Sequence, residues 1–413
     1  MSTRSAARLT RPILLVAVWL LAAQPGIAQQ STSTPVTMVD DSGVATTFAQ
    51  PPRRILSLNP GLTETVFALG AADRLVGVDS FSDYPPEAQQ IQPRLETFPS
   101  LSIETVVNLN PDLVLTLTSG PEELDQLRGR GLQVLKLLPR DYETTATEIA
   151  MLGNVLGVPD RGQSLAQTMR ERRDATLQAI GDAPRPRLFM ELDASDPSRP
   201  FAAGPNGFYG QLVDLAGATN VFSDLPRDFG QVSAESVIER DPELIILTDA
   251  YLPFNPQTPA MVAARPGWDR VTAVRQGGVY AIQGDLVSRP SPRLADGLDT
   301  LAYLIHPDRF ASSGGPRLAS SFGVQPFCAP GETATFSFGF GLLAEALGAR
   351  MGEPTECAHV DALTGDTYQQ TSKGLAIYRR AENTPTFVSG TERWAYNADG
   401  LVEVEEPSAA AQP

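Results

Sequence analysis

Two stretches decide the fold: Ser102-Ile-Glu-Thr-Val-Val-Asn-Leu-Asn-Pro-Asp-Leu-Val-Leu115 and Ser233-Ala-Glu-Ser-Val-Ile-Glu-Arg-Asp-Pro-Glu-Leu-Ile-Ile246. They coincide at their Ser, Glu, Val, Pro and Leu positions, and each reads as a short helix, a proline-bounded turn and an apolar strand. The Ser is an N-cap, the Glu lies in the first turn where the helix dipole favours a carboxylate, and Pro111 or Pro242 stops the helix before the strand. A chain that repeats such a unit is built from two copies of one design.

The same alternation continues on both sides. Ile55–Leu58, Leu75–Val78, Leu113–Leu117 and Val134–Leu138 read as buried parallel strands, with helices at Thr63–Leu69 and Ile103–Asn108. These make a first lobe over about 53–140. Strands at Leu188–Leu192, Leu244–Leu247 and Val279–Ile282, with helices at Tyr209–Ala216, Ala234–Arg240 and Arg293–Leu304, make a second over about 185–310. Between them Thr144–Leu156 and Gly162–Ile180 read as helices, the second with an apolar stripe of Leu165, Met169, Leu177 and Ile180. The segment at about 162–181 is open to two readings: a stiff connection between the lobes or an ordinary crossover helix.

The ends differ in character. Arg4, Arg8 and Arg11 precede an apolar stretch from Ile13 to Ala23, and Gly26 and Ala28 supply the small residues of a cleavage site, so residues 1–28 are expected to be a signal peptide. No cysteine stands near that site, so a diffusing periplasmic or extracytoplasmic protein is expected rather than a lipid-anchored one. The stretch from Gln29 to about Pro52 is polar. Residues 311–326 are rich in Ser, Gly and Pro and read as a linker. A C-terminal unit over 327–405 holds a helix at Phe340–Met351, strand-like Thr, Tyr and Phe residues, and an acidic Ala/Pro tail.

Composition narrows the function classes. The net charge is −16, and loss of the leader would leave 29 basic against 48 acidic residues, a surface that repels nucleic acid and anionic lipid. The two histidines, His306 and His359, fall in separate units, which disfavours a multi-His metal site or a His-based nucleophile. Neither a GxGxxG loop nor a P-loop occurs. Cys328 and Cys357 in an exported chain favour a disulfide; ligation of a metal together with His359 is the alternative.

A further regularity points to a ligand. Phe98 stands six residues before Glu104, and Phe229 six before Glu235. Each Phe lies in the approach to its repeat's helix, and in a two-lobed α/β protein such approaches face one another across the cleft. A Phe from each side would sandwich a large flat or apolar ligand. As core residues, both would instead be buried.

Arg54-Ile-Leu-Ser-Leu-Asn-Pro-Gly-Leu-Thr-Glu-Thr-Val-Phe-Ala-Leu-Gly70, then Leu75-Val-Gly-Val-Asp-Ser-Phe-Ser-Asp-Tyr-Pro-Pro-Glu-Ala88 and the first repeat, resemble the periplasmic binding proteins for iron–siderophore complexes, haem and vitamin B12. The resemblance covers about residues 53–310. It implies two Rossmann-like lobes bridged by a long helix, to which the C-terminal unit adds a small α+β module. It also implies that Glu104 and Glu235 dock onto arginines of a dimeric permease. The cobalamin-binding members carry Trp at the positions of Phe98 and Phe229 and Tyr at that of Phe81; all three are Phe here. Arg289 and Arg293, in Ser288-Arg-Pro-Ser-Pro-Arg293, lie in a segment resembling the cleft-facing loop of the second lobe, where a guanidinium would grip an anionic chelate; Arg293 reads equally as a residue preceding the next helix.

The expected protein is therefore a monomeric substrate-binding component of an ABC importer. It captures an iron complex or a corrinoid between Phe81, Phe98 and Phe229 with the two arginines assisting. No resident cofactor, metal site or catalytic residue is expected, the metal being part of the ligand. Two other classes remain open: an enzyme on the same scaffold, and an envelope-associated structural or adhesive protein acting through its C-terminal module.

Overall fold

The structure is a computed structural model. It describes residues 35–98, 100–117, 120–205, 207–250 and 256–310, and in the C-terminal unit 335–336, 340–354, 358–360, 367–379, 384–389, 392–397 and 400–403. The expected signal peptide, the linker, Cys328 and Cys357 lie outside the described residues.

A hairpin comes first, β1 (Val36–Val39) antiparallel to β2 (Ala45–Phe48). Sequence reading gives only a polar stretch here, because strands of four residues, set among polar neighbours, are too short for their pattern to stand out. Met38 and Phe48 nonetheless enter the core of the first lobe, so the hairpin is part of that lobe's packing.

The first lobe follows as β3 (Ile55–Ser57), α1 (Pro60–Ala68), β4 (Leu75–Asp79), β5 (Arg94–Leu95), α2 (Ile103–Asn108), β6 (Leu113–Thr116), α3 (Pro121–Gly129) and β7 (Val134–Lys136). Its strands pair in parallel in the order β5-β4-β3-β6-β7. Ile55, Leu56, Leu113, Val114 and Leu115 are fully buried, as expected of parallel strands covered on both faces.

Helices α4 (Tyr142–Val155) and α5 (Pro159–Ile180) then lead to the second lobe. That lobe comprises β8 (Arg187–Asp193), β9 (Phe201–Ala203), α6 (Phe208–Leu215), β10 (Thr219–Asn220), β11 (Phe229–Gln231), α7 (Ala234–Arg240), β12 (Leu244–Leu247), α8 (Pro259–Ala263), α9 (Thr272–Gln276), β13 (Val279–Ala281), α10 (Asp285–Ser288), α11 (Leu294–Ile305) and α12 (Pro307–Phe310). The sheet order is β11-β9-β8-β12-β13, with β10 also on β8. Strands β8, β10, β12 and β13 are parallel, while β9 and β11 run antiparallel along one side.

The two readings of the connecting segment are resolved by what α4 and α5 touch. Tyr142, Ala146 and Ile149 of α4 pack in the second lobe's core, whereas Leu152 and Val155 of the same helix pack in the first lobe's core. Near its start α5 is held to the first lobe, Arg161 Nε donating to the Ala68 carbonyl at 2.6 Å. Further along it is held to the second, where Arg172 pairs with Asp296 and Asp299 of α11 at 2.7 and 2.6 Å. The helix pair bridges the lobes.

One residue of the expected stripe on α5 is misplaced. Leu177 is 41% exposed, and the neighbouring Thr176 is buried instead, its hydroxyl donating to Asp299 Oδ1 at 2.6 Å. A partnered hydroxyl satisfies that inward position, which hydrophobic periodicity does not register.

The C-terminal unit has its own core. Helix α13 (Phe340–Leu347) sets Phe340, Leu343 and Leu347 against Ala376, Phe387 and Trp394. The sheet is an antiparallel meander of β14 (His359–Val360), β15 (Thr367–Gln370), β16 (Leu375–Arg379), β17 (Thr384–Ser389), β18 (Glu392–Asn397) and β19 (Gly400–Glu403). Among the described residues no helix is long and apolar enough to cross a membrane.

The bridge depends on a close backbone crossing. A Cβ added at Gly153 of α4 would lie 2.8 Å from Gly162 Cα of α5, against backbone that cannot swing aside. Gly153→Ala should therefore destabilise the protein by about 1–3 kcal/mol through overpacking. A lowered urea midpoint with an unchanged slope would show it.

Candidate functional site

The first-lobe sheet has a switch point between β3 and β6, since the chain leaves β3 toward β4 on one side and later returns to β6 on the other. Ligand crevices in open α/β sheets form outside the carboxyl ends of the strands at such a point. A cavity of about 420 Å³ lies there, with Asn59 following β3, Asp79 ending β4, Thr116 ending β6 and Glu123 on α3 among its lining residues.

Phe81 and Phe98 line the same cavity and are 56% and 78% exposed. Solvent-facing phenyl rings in a cavity are apolar surface left for something else to cover. Local hydrogen bonds hold the turn that carries Phe81. The Asp79 carboxylate accepts from the Phe81 amide at 3.1 Å and from the Ser82 hydroxyl, and Ser82 in turn meets Thr63 Oγ1 at 2.7 Å. Burial raises the Asp79 pKa above the usual carboxylate value, against the lowering effect of these bonds.

Phe229 is not in this cavity. It sits on β11, paired with Ala203 of β9, 53% exposed and with its ring 6.4 Å from that of Phe201. The structure thus brings Phe81 and Phe98 together and places Phe229 on the other lobe.

Arg289 and Arg293 are placed otherwise than expected. Rather than presenting free guanidiniums to a ligand, both are buried in an ionic cluster that joins the lobes. Arg293 forks onto Glu64 of α1, Nε to Oε2 at 3.0 Å and Nη2 to Oε1 at 2.7 Å, and its guanidinium lies 3.6 Å from the centre of the Tyr84 ring. Arg289 reaches Glu64 at 3.2 Å, Asp83 at 2.6 Å and Asp285 at 2.9 Å. Ser291 adds a 2.6 Å bond to Glu64 Oε2. Burial pushes Asp285 up to about 6 against the pull of Arg289. Backbone contact is close as well, since a Cβ on Gly61 would come within 2.9 Å of the Pro290 carbonyl.

Sequence reasoning missed Glu64, Asp83 and Asp285. A signal for the first was present: Glu64 is the one charged residue between Pro60 and Leu69, and a lone carboxylate on an apolar helix needs a cation.

The two repeats are alike down to their turns. Ser102 and Ser233 cap their helices, accepting from Thr105 and Ser236 amides at 3.3 and 3.1 Å, and Glu104 and Glu235 stand exposed in the first turns. Asn110 and Asp241, each just before its proline, are the two non-glycine residues with positive φ among those described. Arg54 and Arg187 donate to the carbonyls of Asn110 and Asp241 at 3.0 and 2.8 Å. The backbone amides of the same two arginines donate to Asp112 and Glu243 at 2.8 and 2.9 Å. The two exposed carboxylates are equivalent points on a duplicated frame.

A family model described as periplasmic binding protein matches residues 55–286, more than half of the chain. The chain is 30% identical over 253 residues to the vitamin B12-binding protein of Vibrio cholerae, covering 60% of this chain and 87% of that one. It is 29% identical over 292 residues to the uncharacterized ABC transporter substrate-binding lipoprotein YvrC of Bacillus subtilis, covering 68% and 90%. Among solved structures it is similar to the periplasmic heme-binding protein RhuT of Roseiflexus sp. RS-1, with TM-score 0.56 and 28% identity over 62% of this chain and 99% of that one. The chain belongs to the periplasmic binding protein family. Its lobes and bridging helices are the frame of a solute receptor, and the three proteins it is similar to are a vitamin B12-binding protein, an ABC transporter substrate-binding lipoprotein and a periplasmic heme-binding protein.

The interlobe cluster makes a testable demand. Glu64→Gln leaves the inner guanidiniums without their shared counter-charge, which should cost about 3–5 kcal/mol of stability. Denaturant titration would detect it, and Thr63→Ser, a smaller change at the neighbouring buried position, serves as the control.

Proposed function

We propose that this protein is the receptor of an ABC importer. It takes a flat metal chelate, an iron complex or corrinoid, against Phe81 and Phe98 and delivers it to a permease dimer through Glu104 and Glu235. The observation that carries the reading is the cavity at the first lobe's switch point with two exposed phenyl rings on its wall. A planar macrocycle covers such rings by offset stacking and removes their apolar surface from water. Phe229 offers a third ring from the second lobe. The metal arrives inside the ligand, and the protein binds it without turnover. Acting as a monomer in the extracytoplasmic space, it would present its two carboxylates to a two-fold permease.

Thermal unfolding against ferric siderophores, haem, cobalamin and cobinamide tests the reading. A cognate chelate at a hundred times its Kd should add about 2.7 kcal/mol of stability. If none of these chelates shifts the transition, the receptor reading fails. Phe98→Ala should weaken the active ligand by about 3- to 10-fold, the worth of one lost aromatic stack. Glu104→Arg with Glu235→Arg should abolish transport into vesicles carrying the permease while leaving the Kd within about twofold, since rim charges act on docking rather than on a distant cleft. A large loss of affinity would place these glutamates in the ligand site instead.

A further inference from the structure

The cavity's electrostatics narrow the ligand beyond a flat chelate. Two charged side chains line it, Asp79 and Glu123, and both are acidic; no Lys or Arg is among the described lining residues. The basic groups nearby are engaged elsewhere. Arg289 and Arg293 are held by Glu64, Asp83 and Asp285. Arg94 donates to the carbonyls of Ser80 and Ala88 at 2.8 and 3.3 Å. Arg128, on the same helix as Glu123, is tied to Asp40 at 2.6 Å.

A carboxylate accepts hydrogen bonds and donates none. A ligand carboxylate brought against this wall would meet like charge in a partly desolvated space, and one Gly120 amide, donating to Glu123 at 3.2 Å, is already committed to that side chain. A carboxamide N–H or a cationic edge would instead find an acceptor in the half-buried Glu123, with the Asp79 carboxylate, itself engaged by the Phe81 amide and Ser82, behind the wall, and charged acceptors form the stronger bonds. The neutral hydroxyl of Thr97 can answer an amide carbonyl.

We propose that the cleft selects by charge: it takes chelates whose rim is amide-bearing or cationic and refuses those whose rim carries carboxylates, with Glu123 as a residue that sets the preference. The inference rests on the receptor reading above and goes further, because that reading alone admits anionic siderophores and haem as readily as amide-bearing rings.

Matched pairs isolate charge from shape. Titration calorimetry on the full chain would compare cobinamide with the corrin whose side-chain amides are hydrolysed to carboxylates, and haem dimethyl ester with haem. In at least one pair the uncharged or cationic member should bind at least about tenfold more tightly than its carboxylate partner, a gap that should narrow as salt is raised. Glu123→Gln keeps an acceptor for the Gly120 amide and should reduce the gap about threefold or more. Equal affinities within both pairs, or preference for the carboxylate forms, overturns charge selection and leaves the receptor standing. An unchanged gap in Glu123→Gln overturns the role given to that residue. Binding of neither member of either pair, together with a null result for the siderophores, overturns the receptor reading and this inference with it.

Discussion

The buried carboxylate of Glu64 is the interaction on which the relation of the lobes depends. It is 3% exposed and accepts from Arg289, Ser291 and Arg293, all contributed by the second lobe, while itself belonging to the first. Taking such charges out of water is costly, and the cost is offset only when the partners stay in register. The lobes cannot move far apart without exposing or stranding these groups. The cluster acts beside the helical bridge, where α5 is bonded to the first lobe at Arg161 and to the second at Arg172 and Thr176. Two independent ties, one ionic and one helical, restrict the hinge.

The same cluster shapes the chemistry of the cleft. By engaging Arg289 and Arg293 it takes from the cavity the cations that a motif-level reading assigns to ligand capture. Among the described lining residues the charge that remains is acidic, beside two phenyl rings. The identity of the ligand-facing groups is therefore a consequence of how the lobes are held together as much as of the cavity itself.

Membership of the periplasmic binding protein family accounts for the duplicated architecture, and the structure shows how far the duplication runs. Capping serines, positive-φ residues before the prolines, arginines that close those turns and acids that accept from the backbone amides of those arginines all recur. Their common effect is to fix each helix end against its strand, so that Glu104 and Glu235 project from equivalent, well-braced sites. Such bracing suits the docking role proposed for these two carboxylates.

Much of this was legible in the sequence, because local signals and tertiary demands agree there. Buried parallel strands need unbroken apolar runs, and helix ends need caps and stops, so β12, α2 and α7 have the bounds read from their residues. The exposed glutamates follow from the same local rules. Three things were decided only in the folded chain. The hairpin at Val36–Phe48 gains its stability from the lobe it packs on rather than from its own pattern. Thr176 replaces Leu177 on the inner face because Asp299 meets it there. Arg289 and Arg293 turn inward because Glu64, more than two hundred residues earlier, arrives beside them. Sequence expresses what a residue prefers within its own turn or strand; which charge it neutralises depends on contacts between distant segments, and those exist only once the lobes have closed on each other.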